Sequence, residues 1–282
     1  MPRHASKNLA AQPPGKRHAR TMPPPARLLA GLLLAALGAT ASRTASAAEV
    51  ILTTRIEKNT QAPCQIEGDA ALTQRPASLA STFKVFLAWV ALEEGCATPQ
   101  TRRPVADRHV PGSPREISLQ EALFHSSNDY FIGLLPPLAL DKLPAYLARS
   151  GLADQPPARW LQGPPGEICS GGSLRVTPQA AHSFMLRLAR GELASSPALQ
   201  KDLETACLWP PLDGAWQIFG KTGTLTGAVW FNGFARETAT GATLVRTVFI
   251  PGTLERRADA IRMFYLGLGL TWNPDWSSWL GP

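Results

Sequence analysis

Several motifs that would place this 282-residue sequence in other enzyme classes are missing. It has no G-x-S-x-G element, which argues against a Ser-His-Asp hydrolase with a nucleophile elbow. It has no glycine-rich phosphate loop, no CxxC pair and no acidic cluster, so the sequence predicts neither a bound metal nor another cofactor. Internal repeats and low-complexity runs are also missing after residue 47, as is typical of an ordinary globular domain.

Long hydrophobic runs are scarce, and the most apolar segment lies near the start. Residues 28–40 form a Leu- and Ala-rich run after Arg27, and the small residues Ala45-Ser46-Ala47 follow. A basic flank, a short apolar core and an A-x-A exit predict a secretory signal peptide over residues 1–47, with Met22 as an alternative start. The core is shorter than the roughly 20 residues of a transmembrane helix, and an uncleaved anchor is the alternative. We therefore expect a periplasmic or secreted protein with no stable membrane span.

The positive charge of the chain is concentrated in this leader. Residues 1–47 hold seven Lys or Arg and no Asp or Glu, so the formal charge of +7 falls to about zero once they are removed. The basic residues are Arg3, Lys7, Lys16, Arg17, Arg20, Arg27 and Arg43. A basic protein would suggest nucleic acid as a partner, but here the charge belongs to the export signal. No nucleic-acid partner is expected, and the sequence leaves the oligomeric state open.

Residues 48–282 have the length of one large domain and contain all four cysteines. In an oxidising compartment an even number of cysteines predicts disulfides, and four cysteines allow three pairings. Proximity in sequence favours Cys64–Cys96 and Cys169–Cys207, with free thiols as the alternative.

The order of the predicted elements indicates an α+β fold. An alternating strand is predicted over 49–56, and an apolar helix is predicted from Ser81 to Gly95. A Ser118/Glu121 capping box predicts a short second helix. Two more helices are predicted, one over 142–149 with Asp141 as its cap and one that starts at Thr177-Pro178. Residues 99–114 read as an irregular excursion. Strands at 215–220, 228–236 and 243–250 form an antiparallel meander, and a helix over 254–270 follows. We expect an antiparallel sheet flanked by helices, joined by the first strand, beside a mostly helical lobe with a cleft between them.

A serine and a lysine stand one turn apart at the start of the apolar helix. Ser81 and Lys84 occur in the stretch STFKVFLAWVALEEG. A serine hydroxyl needs a base to become a nucleophile, and burial in an apolar helix can lower the pKa of a lysine enough for that role. The helix start also favours developing negative charge. The alternative is a lysine that reaches the surface with its amine.

Two further motifs follow in order. Ser126-Ser127-Asn128 ends a short helix, where a second hydroxyl and an amide could relay a proton and hold a substrate amide. Lys221-Thr222-Gly223-Thr224 lies on a predicted strand whose backbone could pair with an extended substrate, and Lys221 could attract a carboxylate. Gly223 would let the substrate approach the backbone closely. Each motif is weak alone, but a helix, a loop and a strand carrying all three argue against coincidence.

This triplet resembles the penicillin-recognising active-site-serine superfamily of D,D-peptidases, serine β-lactamases and penicillin-sensing domains. The segments RPASLASTFKVFLAWVALEEG and GGSLRVTPQAAHSFMLRLARGEL are most similar to class D β-lactamases and their sensor relatives. The resemblance implies that Ser81 is the acylated nucleophile, Lys84 its base and Ser126 the proton relay. It also implies that Asn128, Lys221, Thr222 and Thr224 bind substrate, and that the N–H groups of Ser81 and Thr224 form the oxyanion hole.

Departures from each branch leave the outcome of the reaction open. Class D enzymes usually carry a hydrophobic residue in place of Asn128, beside a carboxylated lysine, and a Tyr-Gly-Asn element that is missing here. Class A enzymes deacylate through a loop glutamate with a nearby asparagine. Glu167 is the candidate for that glutamate, but no asparagine accompanies it and a solvated loop residue is its expected role. Lys84 is therefore either a free amine or a carboxylated base.

We expect an exported serine acyl enzyme that acts on β-lactams or on D-Ala-D-Ala stem peptides of peptidoglycan. A class D β-lactamase-like domain is favoured, with a D,D-transpeptidase or carboxypeptidase and a non-turnover penicillin sensor as alternatives. His109, His125 and His182 are the histidines that follow residue 47. His125 lies beside Ser126, but a place at a wall or on the surface is expected for it. The tryptophans at 272, 276 and 279 are expected to pack over the first strand or last helix rather than to bind glycan or peptide.

Overall fold

The computed structural model describes residues 48–58, 60–152, 157–209 and 214–270. The predicted signal peptide and the tryptophans Trp272, Trp276 and Trp279 lie outside the described residues, and the statements about them stay predictions.

Within these described ranges, eight strands form two sheets. They are β1 (Val50–Glu57), β2 (Thr60–Gln61), β3 (Gln65–Gly68), β4 (Arg102–Val105), β5 (Arg115–Ser118), β6 (Trp216–Leu225), β7 (Ala228–Glu237) and β8 (Thr243–Ile250). The main antiparallel sheet has the order β2-β1-β8-β7-β6, with β3 also paired to β1. The strands β4 and β5 form a separate two-stranded hairpin. The predicted meander and the return of the first strand to it are thus confirmed.

The described α-helices pack on both faces of this sheet. They are α1 (Lys84–Glu93), α2 (Leu119–His125), α3 (Asn128–Leu134), α4 (Leu143–Ser150), α5 (Pro165–Ile168), α6 (Pro178–Ala189), α7 (Pro197–Cys207) and α8 (Arg257–Leu266). Helix α6 and the helical lobe share one apolar core with the inner sheet face. Helix α8 covers the outer face through Ala260, Ile261, Phe264 and Tyr265. This is the predicted α+β arrangement. No helix in the described ranges is long and apolar enough to cross a bilayer.

Helix α1 lies at the centre of the larger core. Every side chain from Lys84 to Leu92 is buried, because the helix is surrounded by other elements of the lobe and by the sheet. This burial explains why the segment has no polar face. It also places the only charged side chain of that run, Lys84, in an apolar environment.

Local sequence signals fixed several helix boundaries correctly. The Ser118 side chain accepts from the Glu121 N–H and the Glu121 side chain accepts from the Ser118 N–H, so the predicted capping box is confirmed. Thr177 caps α6 through the Ala180 N–H, and Pro178 stands at its first position.

Three local predictions were wrong. Residues 99–114 were predicted to be irregular, but they contain β4, which pairs with β5. Pairing between two short segments compensates for their poor strand propensity. Helix α7 was not predicted, although Ser196 accepts from the Leu199 N–H and Pro197 follows. Asp141 does not cap α4, since the helix begins one residue later, behind Lys142, with no side-chain cap.

The four cysteines are free thiols in the structure, so the predicted disulfides are not found. Cys64 is exposed, and Cys96 contacts the Pro137 carbonyl oxygen in the lobe. Cys169 is buried near Lys84, whereas Cys207 is buried near Glu204 and Lys221. Cysteines that are neighbours in sequence belong to different surroundings in the fold, and sequence proximity was therefore a poor guide to pairing.

His182 on α6 is a buried polar contact between that helix and the sheet. Its Nε2 lies 2.9 Å from Thr54 Oγ1 on β1, and its Nδ1 lies 3.3 Å from Thr247 Oγ1 on β8. Burial lowers the pKa of His182 to about 4, because the charged ring would lose its hydration. His182 therefore has an interior structural role.

We expect acid to destabilise the fold through this histidine. The unfolded chain binds a proton near pH 6.5 and the folded chain only near pH 4, so the neutral ring stabilises the fold fully above about pH 6.5. That contribution is lost as the pH falls toward 4, and the loss reaches about 2 kcal/mol at pH 5. Urea unfolding at pH 7.5 and pH 5 measures it. The variant His182→Gln should lose less stability over the same interval, and an equal loss in both proteins would contradict the assignment.

Candidate active site

Ser81 lies in a tight turn that leads into α1. The turn is a 3-10 helix, Ala80–Phe83, and α1 begins only at Lys84, three residues later than the sequence suggested. Ala80 has φ 49°, a left-handed conformation that is uncommon for a residue other than glycine. The Ala80 N–H donates to Ser78 Oγ, and Thr82 Oγ1 donates to the Leu79 carbonyl oxygen. These bonds hold the turn, and Ser81 stays partly exposed.

Lys84 stands one turn further along and is only 1% exposed. Its Nζ donates to the Ser126 carbonyl oxygen and to Asn128 Oδ1, each at 2.7 Å, and it lies 5.6 Å from the centre of the Phe131 ring. Burial lowers the pKa of Lys84 to about 8, the positive charge of Arg257 acts in the same direction, and Cys169 and Asp107 oppose it. About a tenth of the amine is therefore unprotonated at pH 7, far more than for an ordinary lysine, and this is the form that a general base requires.

The second motif forms the junction between α2 and α3. Ser126 follows α2 in a left-handed conformation with φ 62° and ψ 33°, and Ser127 caps α3 by accepting from the Tyr130 N–H. Asn128 is the first residue of α3. The junction turns the Ser126 carbonyl and the Asn128 side chain toward Lys84, so the first two motifs meet around the amine.

The third motif lies within β6 and packs against the serine turn. A β-carbon built on Gly223 would lie 2.6 Å from the Leu79 carbonyl oxygen and 2.9 Å from the Thr82 nitrogen. Only glycine lets the strand approach this closely. The close packing brings the Lys-Thr-Gly-Thr segment beside Ser81.

Lys221 is fully buried next to this contact. Its Nζ donates to the Thr222 carbonyl oxygen at 2.9 Å. Burial, followed by the positive charges of Lys84 and Arg257, holds the pKa of Lys221 well below its usual range. Asn232, its cross-strand neighbour on β7, is 3% exposed, and the Asn232 Oδ1 has no hydrogen-bond partner among the described residues.

The three motifs surround one open pocket of about 290 Å³. It is lined by Ser81, Ser126, Asn128, Thr222, Gly223 and Thr224 of the predicted site, and by His109, Leu254 and Arg257. Lys84 and Lys221 lie buried behind this lining. Thr224 Oγ1 is buried and has no hydrogen-bond partner within the described part of the chain.

Three of these lining residues were not predicted as site residues. Arg257 begins α8, and its Nη2 donates to Thr222 Oγ1 at 3.2 Å. Burial lowers the pKa of Arg257, although its guanidinium remains charged at physiological pH. His109 lies in the β4–β5 loop with Nε2 3.3 Å from the Ser126 carbonyl oxygen, and Leu254 is an exposed apolar residue at the rim. No local motif in the sequence marked His109, Arg257 or Leu254 as a site residue.

The other candidates for acid–base chemistry lie elsewhere. Glu167 is exposed on the short helix α5 and does not line the pocket. Among the described residues that do line it, none is acidic. His125 is partly buried against Phe124, and burial lowers the pKa of its ring.

Comparison with known proteins agrees with this geometry. Residues 53–260 match the family model described as the penicillin binding protein transpeptidase domain. Similar solved structures include a class D β-lactamase from Bacillus subtilis (17% identity, TM-score 0.66, covering 80% of this chain and 93% of that one). The class D β-lactamase YbXI from Nostoc shares the fold at 22% identity and a TM-score of 0.65, covering 79% of this chain and 94% of that one. The BPu1 β-lactamase shares it at 15% identity and a TM-score of 0.68, covering 80% of this chain and 94% of that one. No curated protein sequence matches significantly. The resemblance predicted from the motifs is confirmed.

Proposed function

We propose that this chain is an enzyme whose Ser81 is acylated by β-lactams or by D-Ala-D-Ala-type peptides. The chain belongs to the family of penicillin-binding protein transpeptidase domains. The observation that carries the proposal is the convergence of three distant motifs on one pocket, where the buried amine of Lys84 donates to Ser126 and Asn128 of the lining. The fold of the β-lactamase neighbours supports it. Peptidoglycan lies outside the cytoplasmic membrane, and we propose that the protein is exported to it.

We propose that acylation uses three polar side chains of the motifs. Lys84 Nζ, as a free amine, takes the proton of Ser81 Oγ, and the oxygen attacks the carbonyl carbon of the substrate. The N–H groups of Ser81 and Thr224 stabilise the negative oxygen of the tetrahedral intermediate. The carbon–nitrogen bond then breaks. The Ser126 hydroxyl passes the proton from Lys84 to the leaving nitrogen, and an ester on Ser81 remains.

We propose that Lys84 works as the free amine rather than as a carbamate. Its Nζ already donates two short hydrogen bonds, to the Ser126 carbonyl and Asn128 Oδ1, and both acceptors suit an amine. A carboxylate built on Nζ would place oxygen against these acceptors in a buried site, which is unfavourable. The polar Asn128 thus favours the simpler base.

Release of the acyl group decides between the family's activities. No described residue lining the pocket is acidic, and Glu167 lies on the surface away from it. We propose that hydrolysis of the acyl-enzyme is slower than its formation. This favours a penicillin-binding peptidase, in which an amine or water completes the reaction on peptide substrates, over a fast β-lactamase.

Arg257 is proposed as the anchor for the substrate carboxylate. Its guanidinium lines the pocket and donates to Thr222 on the strand beside Ser81. Arginine binds carboxylates through two parallel hydrogen bonds.

We expect Arg257→Ala to weaken acylation by carboxylate-bearing substrates. The second-order rate constant should fall about 10- to 100-fold, since a hydrogen bond to a charged group contributes about 1.5–3 kcal/mol. The loss should be much smaller for the methyl ester of the same penicillin. Arg256→Ala is the matched control, because Arg256 pairs with Glu49 and Asp259 instead of lining the pocket. Equal losses for acid and ester would refute the anchor.

One assay separates the possible activities. The purified protein is mixed with a chromogenic cephalosporin and with a fluorescent penicillin, and turnover and covalent label are followed together. A lasting label without turnover supports the penicillin-binding peptidase or a sensor, and release of D-Ala from a D-Ala-D-Ala peptide then identifies the peptidase. Rapid turnover with transient label would identify a β-lactamase and overturn the proposed slow deacylation.

A further inference from the structure

The loop between β4 and β5 carries a carboxylate into the second motif. Asp107 accepts hydrogen bonds from the Ser127 hydroxyl, from the Asn128 N–H at 3.2 Å and from the Asp129 N–H at 3.1 Å. These three donors belong to the junction and the first turn of α3. One partly buried side chain therefore fixes three consecutive residues of the motif.

The contact is reinforced from both sides. Asp129 Oδ2 accepts from the Ala106 N–H at 2.7 Å, so α3 holds the loop as the loop holds α3. His109, two residues after Asp107, places Nε2 3.3 Å from the Ser126 carbonyl oxygen. The loop thus contacts each residue from Ser126 to Asp129.

The junction needs such support because its geometry is strained. Ser126 has φ 62°, and a left-handed residue other than glycine costs on the order of 1 kcal/mol and persists only where its surroundings hold it. The Ser126 carbonyl and Asn128 Oδ1 are the two acceptors of the Lys84 amine. A shift of the junction would therefore move the acceptors that place the base.

We propose that Asp107 is a positioning residue for acylation: it holds Ser126 and Asn128 where their oxygens fix the Lys84 amine beside Ser81. This inference rests on the proposed function of Ser81 and Lys84. Asp107 does not line the pocket, and it acts through the backbone and side chains that do.

The charge of Asp107 gives this role a separate signature. Burial and the charge of Arg257 lower the pKa of Lys84, whereas Cys169 and the negative charge of Asp107 raise it. Lys221 also lies close enough to Lys84 for the two charges to interact. Removing the carboxylate should have two effects. Misplacement slows acylation at its high-pH plateau, and loss of the negative charge moves the acidic limb of the pH profile to lower pH.

The test is the acylation rate of Asp107→Asn with a fluorescent penicillin from pH 6 to pH 10. Asparagine keeps the size of the side chain but offers one acceptor oxygen and an amide that would face N–H donors. We expect the plateau to fall about 10-fold or more, as the loss of charged hydrogen bonds predicts, and the acidic limb to move to lower pH. A merely structural defect would lower the plateau without moving the limb.

Two further variants keep the proposal testable if Asp107→Asn folds poorly. Ser127→Ala removes one donor but keeps the carboxylate, so its plateau should fall while its limb stays in place. Asp129→Asn removes a neighbouring acid that does not act on the Lys84 pKa, and its limb should not move either. Wild-type plateaus in both Asp107→Asn and Ser127→Ala would overturn the inference. A wild-type protein that never labels Ser81 would instead overturn the proposed function.

Discussion

Replacing Ser81 by alanine is expected to abolish covalent labelling by a fluorescent penicillin. Acylation needs the serine oxygen as nucleophile, so the rate constant should fall at least about a thousandfold, to background. The fold should be unaffected, because the hydroxyl is partly exposed and the turn is held by bonds of Ala80 and Thr82. Labelling followed by gel fluorescence and intact mass measures the effect.

The control for this experiment is a nucleophile of similar size. Ser81→Cys keeps a nucleophilic atom at the same position and should retain some labelling, on the new thiol. If the unfolding temperature of both variants equals that of the wild type, the turn is intact. A stoichiometric adduct on Ser81→Ala would mean that another residue, such as Ser126, is the nucleophile.

Replacing Lys84 by methionine is expected to give the second-largest loss. General bases contribute about 10²- to 10⁴-fold, and the acylation rate constant should fall by that factor. Methionine fills a similar volume within the apolar helix, and so the buried position tolerates it. Lys201→Met is the matched control because Lys201 is an exposed lysine of α7. A rate within a few-fold of wild type in Lys84→Met would rule out the lysine as base.

The wild-type pH profile tests the state of the same amine. Only the unprotonated amine accepts the serine proton, so acylation should rise with pH through an acidic limb near the Lys84 pKa of about 8. The limb should be absent from Lys84→Met. Added bicarbonate should leave the wild-type profile unchanged if the amine is free, and activation by bicarbonate would indicate a carbamate instead.

Residues with strong local patterns were predictable from the sequence. The late strands are rich in aromatic and β-branched side chains, and the Ser118/Glu121 box predicted the start of α2. The three motifs were found because each chemical role needs a particular residue type at a short spacing. Their convergence on one pocket could be expected only after the resemblance had supplied a fold.

Residues that reach the site through tertiary packing were not predictable. Arg257 begins α8 and meets Thr222 only because that helix crosses the outer face of the sheet. Asp107 and His109 lie in a segment rich in Pro and Arg that appeared irregular. The predicted disulfide pairing failed for the same reason, because distance along the chain says little about distance in space.

The contact at Gly223 makes β6 and the turn that carries Ser81 change together in evolution. The β6 strand lies directly against the backbone of the serine turn and the γ-methyl group of Thr82, so any side chain in place of Gly223 would push strand and turn apart. Mutations that broaden the cleft must therefore arise at its rim, at exposed residues such as Leu254, while the contact between strand and turn is inherited as one unit.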